Sequence, residues 1–267
     1  MTRRRTPRVL SIAGSDSGGG AGIQADLKTV TMLGGHAMTA ITAVTAQNTL
    51  GVTRVVTMPP DMVLAQIAAV MEDIGVDAIK IGMIGSAEVA DAVTEVLPAN
   101  IPMVFDPVMV ATSGAVLADS ATIAAFERLM ARARLVTPNL PELAILVGRE
   151  IGDADALVEA AEALARRSGA AVLAKGGHLS GDDLVDVLVE GGVTRQWRDR
   201  RIATRHSHGT GCTLSSAIAT GLAQALPLEQ AIEEARGYVR AALAAAPGLG
   251  KGHGPMGIGR AADRRPC

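Results

Sequence analysis

Gly14-Ser15-Asp16-Ser17-Gly18-Gly19-Gly20-Ala21-Gly22 sets five glycines between an apolar run and a helical one. Glycines at such a turn let backbone N–H groups approach a ligand closely. The segment has no G-x-G-x-x-G register, because Ile23 takes the last place counted from Gly18, and the chain has no G-x-x-x-x-G-K-[ST] loop. Asp16 and Asp26 bracket it, and Asp26 sits where a ligand on the loop could reach it. His208-Gly209-Thr210-Gly211-Cys212-Thr213 opens a later helical run. A helix start points free N–H groups at an anion, Thr210 adds a hydroxyl, and Cys212 on the first turn is expected to have a lowered thiol pKa. Lys175 ends an apolar run before Gly176-Gly177-His178, a place suited to phosphate contact. Asp106 in Phe105-Asp106-Pro107 and Glu142 in Thr137-Pro138-Asn139-Leu140-Pro141-Glu142 each put a carboxylate just past a strand. Two such acids can hold Mg²⁺, directly or through water.

Each residue taken alone has a plainer reading. The first loop is then a flexible turn, Asp26 a surface charge and Cys212 a small buried side chain. Lys175 becomes a hairpin lysine, Asp106 a turn former and Glu142 a first-turn charge. What favours chemistry is that every candidate follows a strand, so all fall on one rim of a sheet. Glycine-rich anion sites, a lysine, two acids and a helix start together describe phosphoryl transfer without a Walker A loop.

The elements that must hold them can be read from periodicity. Strands are expected at Val9–Ala13, Met38–Val44, Val52–Thr57, Ala78–Ile81, Met103–Phe105, Leu135–Val136 and Ala171–Leu173. Helices are expected at Ile23–Leu33, Asp61–Ile74, Ala87–Val96, Ala121–Ala131, Pro141–Val147 and Ala154–Arg167. This alternation is the signature of a mostly parallel sheet covered on both faces. Leu184–Val189 and Val193–Trp197, joined by Gly191-Gly192, read as an antiparallel hairpin, followed by helices Cys212–Ala225 and Leu228–Ala245. The expected organisation is a tail over residues 1–8, one domain over 9–260 and a tail over 261–267.

Composition excludes several classes. The 267 residues carry 25 Lys+Arg against 27 Asp+Glu, and 48% are hydrophobic, so a disordered chain or a dedicated nucleic-acid binder is not expected. Phe105, Phe126, Trp197 and Tyr238 are the only aromatics, too few for base-stacking platforms. Cys212 and Cys267 are too few for a disulfide framework, and no apolar run is long enough for a membrane span or a signal-peptide core. A cytoplasmic location is expected.

Ser11-Ile12-Ala13-Gly14-Ser15-Asp16-Ser17-Gly18-Gly19-Gly20-Ala21-Gly22-Ile23-Gln24-Ala25-Asp26-Leu27-Lys28 resembles the opening of the hydroxymethylpyrimidine/phosphomethylpyrimidine kinases, the thiamine-biosynthesis members of the ribokinase superfamily. So do Thr45-Ala46-Gln47-Asn48-Thr49, Lys80-Ile81-Gly82-Met83, Thr137 to Glu142, Lys175 to His178, and His208 to Ser215, in the family's order. The resemblance implies a ribokinase-like three-layer α/β/α sandwich and a homodimer. It implies two ATP-dependent phosphorylations, of 4-amino-5-hydroxymethyl-2-methylpyrimidine and of its monophosphate. Gly209, Thr210, Gly211 and Cys212 would be the anion hole and the base. Lys175, with Thr210 and Gly211, would contact ATP phosphates, and Asp106 and Glu142 would hold Mg²⁺. Gln47, with Asp26, Gly14, Gly22 and Met83, would bind the pyrimidine; the Gln47 amide offers both a donor and an acceptor to a ring nitrogen and its amino group. Pyridoxal kinase of the same superfamily and a non-catalytic pyrimidine-binding protein are the alternatives. A redox protein built on Cys212 lacks a C-x-x-C motif.

Overall fold

Apolar residues along the central strands find cover on both faces of one sheet. The structure is a computed structural model that describes residues 5–111, 114, 116–177, 179 and 181–261. Its strands are β1 (Arg8–Asp16), β2 (His36–Gln47), β3 (Val52–Thr57), β4 (Ala78–Ile81), β5 (Met103–Phe105), β6 (Leu135–Val136), β7 (Ala171–Lys175), β8 (Asp183–Glu190) and β9 (Val193–Arg200). Its helices are α1 (Gly22–Met32), α2 (Pro60–Asp73), α3 (Ala87–Val96), α4 (Ser120–Arg132), α5 (Leu140–Val147), α6 (Ala154–Ser168), α7 (Thr210–Ala223), α8 (Leu228–Ala244) and α9 (Ile258–Ala261). The strand order is β3-β2-β1-β4-β5-β6-β7-β8-β9. Strands β2, β1, β4, β5, β6 and β7 run parallel, while β3, β8 and β9 pair antiparallel.

Leu10 and Ile12 of β1, Ile79 and Ile81 of β4 and Phe105 of β5 face α2 to α6. Their neighbours Val9, Ala78 and Val104 face α1, α7 and α8. On the first side Phe105 meets Phe126 of α4 edge-on, with ring centroids 5.1 Å apart. The result is the three-layer α/β/α arrangement, with mostly parallel strands, that the sequence implied. Among the described residues no helix is long and apolar enough to cross a membrane.

Three details differ from expectation. The β2–β3 pair is antiparallel as well, because residues 48–51 are too few for a crossover. Asn48 closes that turn, its side-chain oxygen accepting the N–H groups of Leu50 and Gly51. At the front, Pro7 is buried, and Arg8 already belongs to β1 with its backbone and guanidinium on Asp77, so the tail is shorter than residues 1–8. At the back, Ala261 is buried and closes α9, a helix the apolar pattern was too short to announce. His178, Cys267 and the rest of 262–267 lie outside the described residues.

Order reverses at β1, whose neighbours β2 and β4 are reached by connections on opposite faces. In open α/β sheets such a switch opens a crevice at the carboxyl ends of the strands. Gly14, Met83, Asp106, Glu142 and Lys175 all follow or end strands β1, β4, β5, β6 and β7 at that rim.

Candidate active site

The crevice is a cavity of about 640 Å³. Gly14, Gly22, Gln47, Met83, Asp106, Glu142, Lys175, Gly209, Thr210, Gly211 and Cys212 all line it. Asp26 does not.

Asp26 corrects the sequence reading. It is fully buried on α1, and both its oxygens hold Lys80 of β4, at 3.0 and 2.8 Å. Ser11 of β1 and Ser216 of α7 donate to it at 2.5 and 2.6 Å. Ser11 and Lys80 lie two places after Val9 and Ala78, so pleating points them at the same helices. Burial opposes a charge on Lys80, yet Asp26 and the more distant Cys212 and Asp106 keep its pKa above the ordinary lysine value. Asp26 therefore holds the floor of the cavity together and does not itself line it. A single helical Asp gave no sign of this, because its partners lie on three other elements.

The first glycine loop is also used differently. Asp16 Oδ1 accepts the N–H of Gly18 at 2.8 Å, and its Oδ2 accepts those of Gly20 and Ala21 at 3.0 and 2.9 Å. The loop's anion is thus its own aspartate. Burial works against this carboxylate, but His208 and the amides of Ala21 and Gly18 hold its pKa below the usual range. Glycine is required at two crossings: a Cβ on Gly22 (φ 55°) would lie 2.3 Å from the Gly14 carbonyl, and one on Gly209 (φ 85°) 1.9 Å from that of Gly20. The two glycine segments are pressed directly against each other.

Helix α7 supplies the open N–H groups. Thr210 and Thr213 donate to Ser207 and Gly209 at 3.3 and 2.9 Å. Gly211 and Cys212 stand too early in the helix for an i−4 carbonyl, so their N–H groups face the cavity end. A Cβ on Gly211 would sit 3.1 Å from Asp106 Oδ2 and 3.2 Å from Lys175 Nζ, so the missing side chain makes room for that pair. Lys175 Nζ meets Asp106 Oδ1 at 2.9 Å, and Thr137 donates to the same oxygen at 3.0 Å.

Glu142 is fixed by a capping box at the start of α5: its carboxylate accepts the Asn139 N–H at 2.8 Å, while Asn139 accepts that of Glu142 at 2.9 Å. Burial raises its pKa to about 7; Lys175 pulls it down and Asp106 pushes it up. Burial opposes the Lys175 charge, but Asp106 and Glu142 keep that pKa above the ordinary value. Two neighbouring acids sharing one lysine are a donor set that a divalent cation would relieve, with phosphate oxygens and water completing an Mg²⁺ shell. Among the described residues no group of three or more His, Cys, Asp and Glu forms a closed metal cage.

Cys212 lies between two helix starts, since the N–H of Gly22, the first residue of α1, is directed to its sulfur. The expected low pKa is nevertheless wrong. Burial pushes the thiol up to about 11; Lys80 and the Gly22 N–H lower it, while Asp26 and Asp106 raise it. Helix position alone misled because it ignores what lies beneath.

Gln47 reaches the cavity where the β2–β3 ladder slips between Ala46 and Gln47, a bulge that re-aims the strand end. Ser17 clasps its backbone, accepting its N–H and donating to its carbonyl, both at 2.8 Å. Met83 crosses to Gly14, where a Cβ would meet its sulfur at 2.9 Å. Three further groups were missed by sequence reasoning: the Asp16–His208 contact at 2.9 Å, Lys80, and Arg236, which binds Asp186 and Asp199 at 2.9 and 2.8 Å under the Trp197 ring. Asp186 accepts the Gly176 N–H at 3.2 Å, fixing the turn after Lys175. His208, directly before the second glycine segment, and Lys80, in Lys80-Ile81-Gly82-Met83, were the ones with a local signal.

The chain matches the family profile described as phosphomethylpyrimidine kinase over residues 16–257. It is 49% identical to the hydroxymethylpyrimidine/phosphomethylpyrimidine kinase of Rhizobium meliloti over 94% of this chain and 96% of that one. It is 48% identical to the thiamine biosynthesis bifunctional protein of Geobacter sulfurreducens over 96% of this chain, and spans 54% of that longer protein. Among solved structures, the pyridoxal kinase from Staphylococcus aureus in complex with pyridoxal superposes with a TM-score of 0.88 at 32% identity, covering 96% of this chain and 94% of that one.

Two outcomes test the site's construction. Asp26→Ala strands Lys80 in the interior and should cost about 3–5 kcal/mol in urea unfolding. Adding Lys80→Met should recover most of that loss; a single variant as stable as wild type would remove the ion pair's structural role. Second, in a Cys267→Ser background, iodoacetamide labelling of Cys212 should accelerate about tenfold per pH unit from 7 to 10, as thiolate forms only near the shifted pKa. A plateau below pH 8 would mean a low-pKa thiol.

Proposed function

The chain belongs to the phosphomethylpyrimidine kinase family, and from that premise we propose that it transfers the ATP γ-phosphoryl group to the hydroxymethyl oxygen of 4-amino-5-hydroxymethyl-2-methylpyrimidine, then to the resulting monophosphate. The observation that carries this reading is the convergence at Gly211. A helix N-terminus, Lys175 and Asp106 meet there within contact distance of a missing Cβ. Phosphoryl transfer needs positioned reactants and stabilised negative charge rather than covalent help, and those groups supply both.

Gln47 holds the pyrimidine edge, with Gly14 and Met83 as the wall beside it. Lys175 draws the polyphosphate to the rim, and the Gly211 and Cys212 N–H groups receive the transferring phosphoryl oxygens. Asp106 and Glu142 would hold Mg²⁺, which supplies charge neutralisation on the phosphates when bound. In this reading Cys212 is the group that accepts the hydroxymethyl proton. Its thiolate is the competent base, and Lys80 beneath it favours that form. Because burial keeps the thiol mostly protonated at rest, only its thiolate fraction can accept that proton, and turnover should rise with pH toward the shifted pKa.

Pyridoxal is the second substrate to weigh, because the fold likeness to the Staphylococcus enzyme is close. The pyrimidine kinases are favoured by the higher identity of the Rhizobium relative. We place the enzyme in the cytosol, where ATP is made and Cys212 stays reduced. A homodimer across the β2–β3 edge would cover Val44, Val55 and Val56 on that ladder and Leu50 in its turn, all exposed apolar side chains.

Purified protein with ATP and Mg²⁺ should turn over both pyrimidines and use pyridoxal poorly. Efficient turnover of pyridoxal alone would overturn the assignment. Gln47→Leu should weaken pyrimidine affinity about 5- to 150-fold, the worth of roughly 1–3 kcal/mol for unpaired buried polar groups, with ATP binding unchanged. Sedimentation should show a dimer that Val56→Lys dissociates; a wild-type monomer would remove the interface.

A further inference from the structure

One imidazole touches both glycine segments and the pyrimidine contact. His208 Nε2 lies 2.9 Å from Asp16 Oδ2 and 3.2 Å from Gln47 Nε2, and a Cβ on Gly20 would strike its ring at 2.5 Å. The Gln47 Oε1 position is 3.2 Å from Thr45 Oγ1, whose hydroxyl also contacts the Ser15 carbonyl at 2.8 Å.

Counting hydrogens decides the amide. Asp16 carries three N–H donors from its loop and is held ionised, so it only accepts. The hydrogen between it and His208 therefore sits on Nε2. That leaves Nε2 no lone pair to accept from an amide NH₂; its one hydrogen goes mainly to Asp16 at 2.9 Å and is shared with the Gln47 group at 3.2 Å, which is therefore the oxygen, as the weaker second acceptor. Thr45 has one hydroxyl hydrogen and gives it to the Ser15 carbonyl at the shorter distance. Its lone pair is then free to accept from the amide's other end, which must be the NH₂. Both ends agree on the exchanged orientation, the kind of assignment that hydrogen-bond partners settle for an amide.

We propose that His208, anchored by Asp16, is a positioning residue that fixes which end of the Gln47 amide donates and which accepts, and so decides which hydrogen-bond pattern of a substrate ring is read. This deepens the reading of Gln47 as the pyrimidine contact and rests on it. A 4-aminopyrimidine presents an acceptor ring nitrogen beside a donor amino group. The 4-oxo analogue presents a donor ring N–H beside an acceptor oxygen, the reverse pattern. An amide held in one orientation suits only one of the two, whereas a free amide could turn to suit either.

The test compares kcat/KM for 5-hydroxymethyl-2-methylpyrimidine carrying 4-amino or 4-oxo, in wild type, His208→Leu, His208→Gln and Gln47→Leu. Wild type should prefer the amino compound about 100-fold or more, in line with sites that leave a polar pair unmatched. His208→Leu should lower that ratio at least about tenfold, with the KM for ATP unchanged. His208→Gln places an amide nitrogen near the Nε2 position and should restore the ratio. Thr45→Val, which removes the acceptor at the other end, should lower it too and serves if His208→Leu does not fold by circular dichroism. A wild-type ratio in folded His208→Leu, or in Thr45→Val where it stands in, overturns the proposal while a collapsed ratio in Gln47→Leu keeps the Gln47 reading. A wild-type ratio in Gln47→Leu overturns both.

Discussion

Beneath the rim, four elements meet on one pair of opposite charges. Lys80 of β4 and Asp26 of α1 are buried against each other, with Ser11 of β1 and Ser216 of α7 completing the Asp26 shell. Neither charge has water to turn to, so each is stable only where the other is. That constraint fixes α1 and α7 against the two strands flanking the topological switch. Ser216 lies one turn after Cys212, so the bond it gives Asp26 also sets where the start of α7 stands. The site above inherits its geometry from a contact buried at its floor.

The second consequence is electrostatic. A sheet rim rich in N–H groups could have been uniformly attractive to anions, but the Asp16 carboxylate occupies the first glycine loop. The open anion-binding surface is therefore confined to the start of α7, with Lys175 beside it. Asp106 shares that lysine, and Glu142 stands close enough for each acid to feel the other. Such a corner discriminates: phosphate alone faces two carboxylates, and phosphate arriving with a divalent cation faces a matched set. The glycine loop becomes the rigid frame that presses on His208 and clasps Gln47 through Ser17.

Much of this was legible in the sequence wherever the signal was local. The short strands Ala78–Ile81, Met103–Phe105 and Leu135–Val136 stand where apolar runs placed them, since a strand buried on both faces reads as an unbroken run. The rim residues followed from the rule that loops after parallel strands converge. What could not be read was pairing across distance. Asp26 looked like a residue near a ligand because its neighbours in sequence are the loop, whereas its partners come from β1, β4 and α7. Cys212 looked acidic because helix starts stabilise thiolates, while the burial and the two carboxylates that overcome them belong to other elements. Asp16 sat inside the quoted motif, yet its role as the loop's own anion depends on backbone directions that residue types do not encode.

The same division explains how one scaffold can serve different small alcohols. The groups proposed for transfer, Asp106, Glu142, Lys175 and Cys212, stand at central strand ends and at the starts of α5 and α7, and the buried ion pair fixes the last of these. Gln47 instead sits past a bulge at the end of β2, on the antiparallel ladder with β3 at the sheet's edge. An edge hairpin can change sequence without disturbing the core beneath α7. Its hold on the centre is narrow: the Ser17 clasp, the Thr45 hydroxyl and the His208 ring. Substrate reading is thus mechanically separable from phosphoryl chemistry, and the few bonds joining the two are where a change of substrate would have to act.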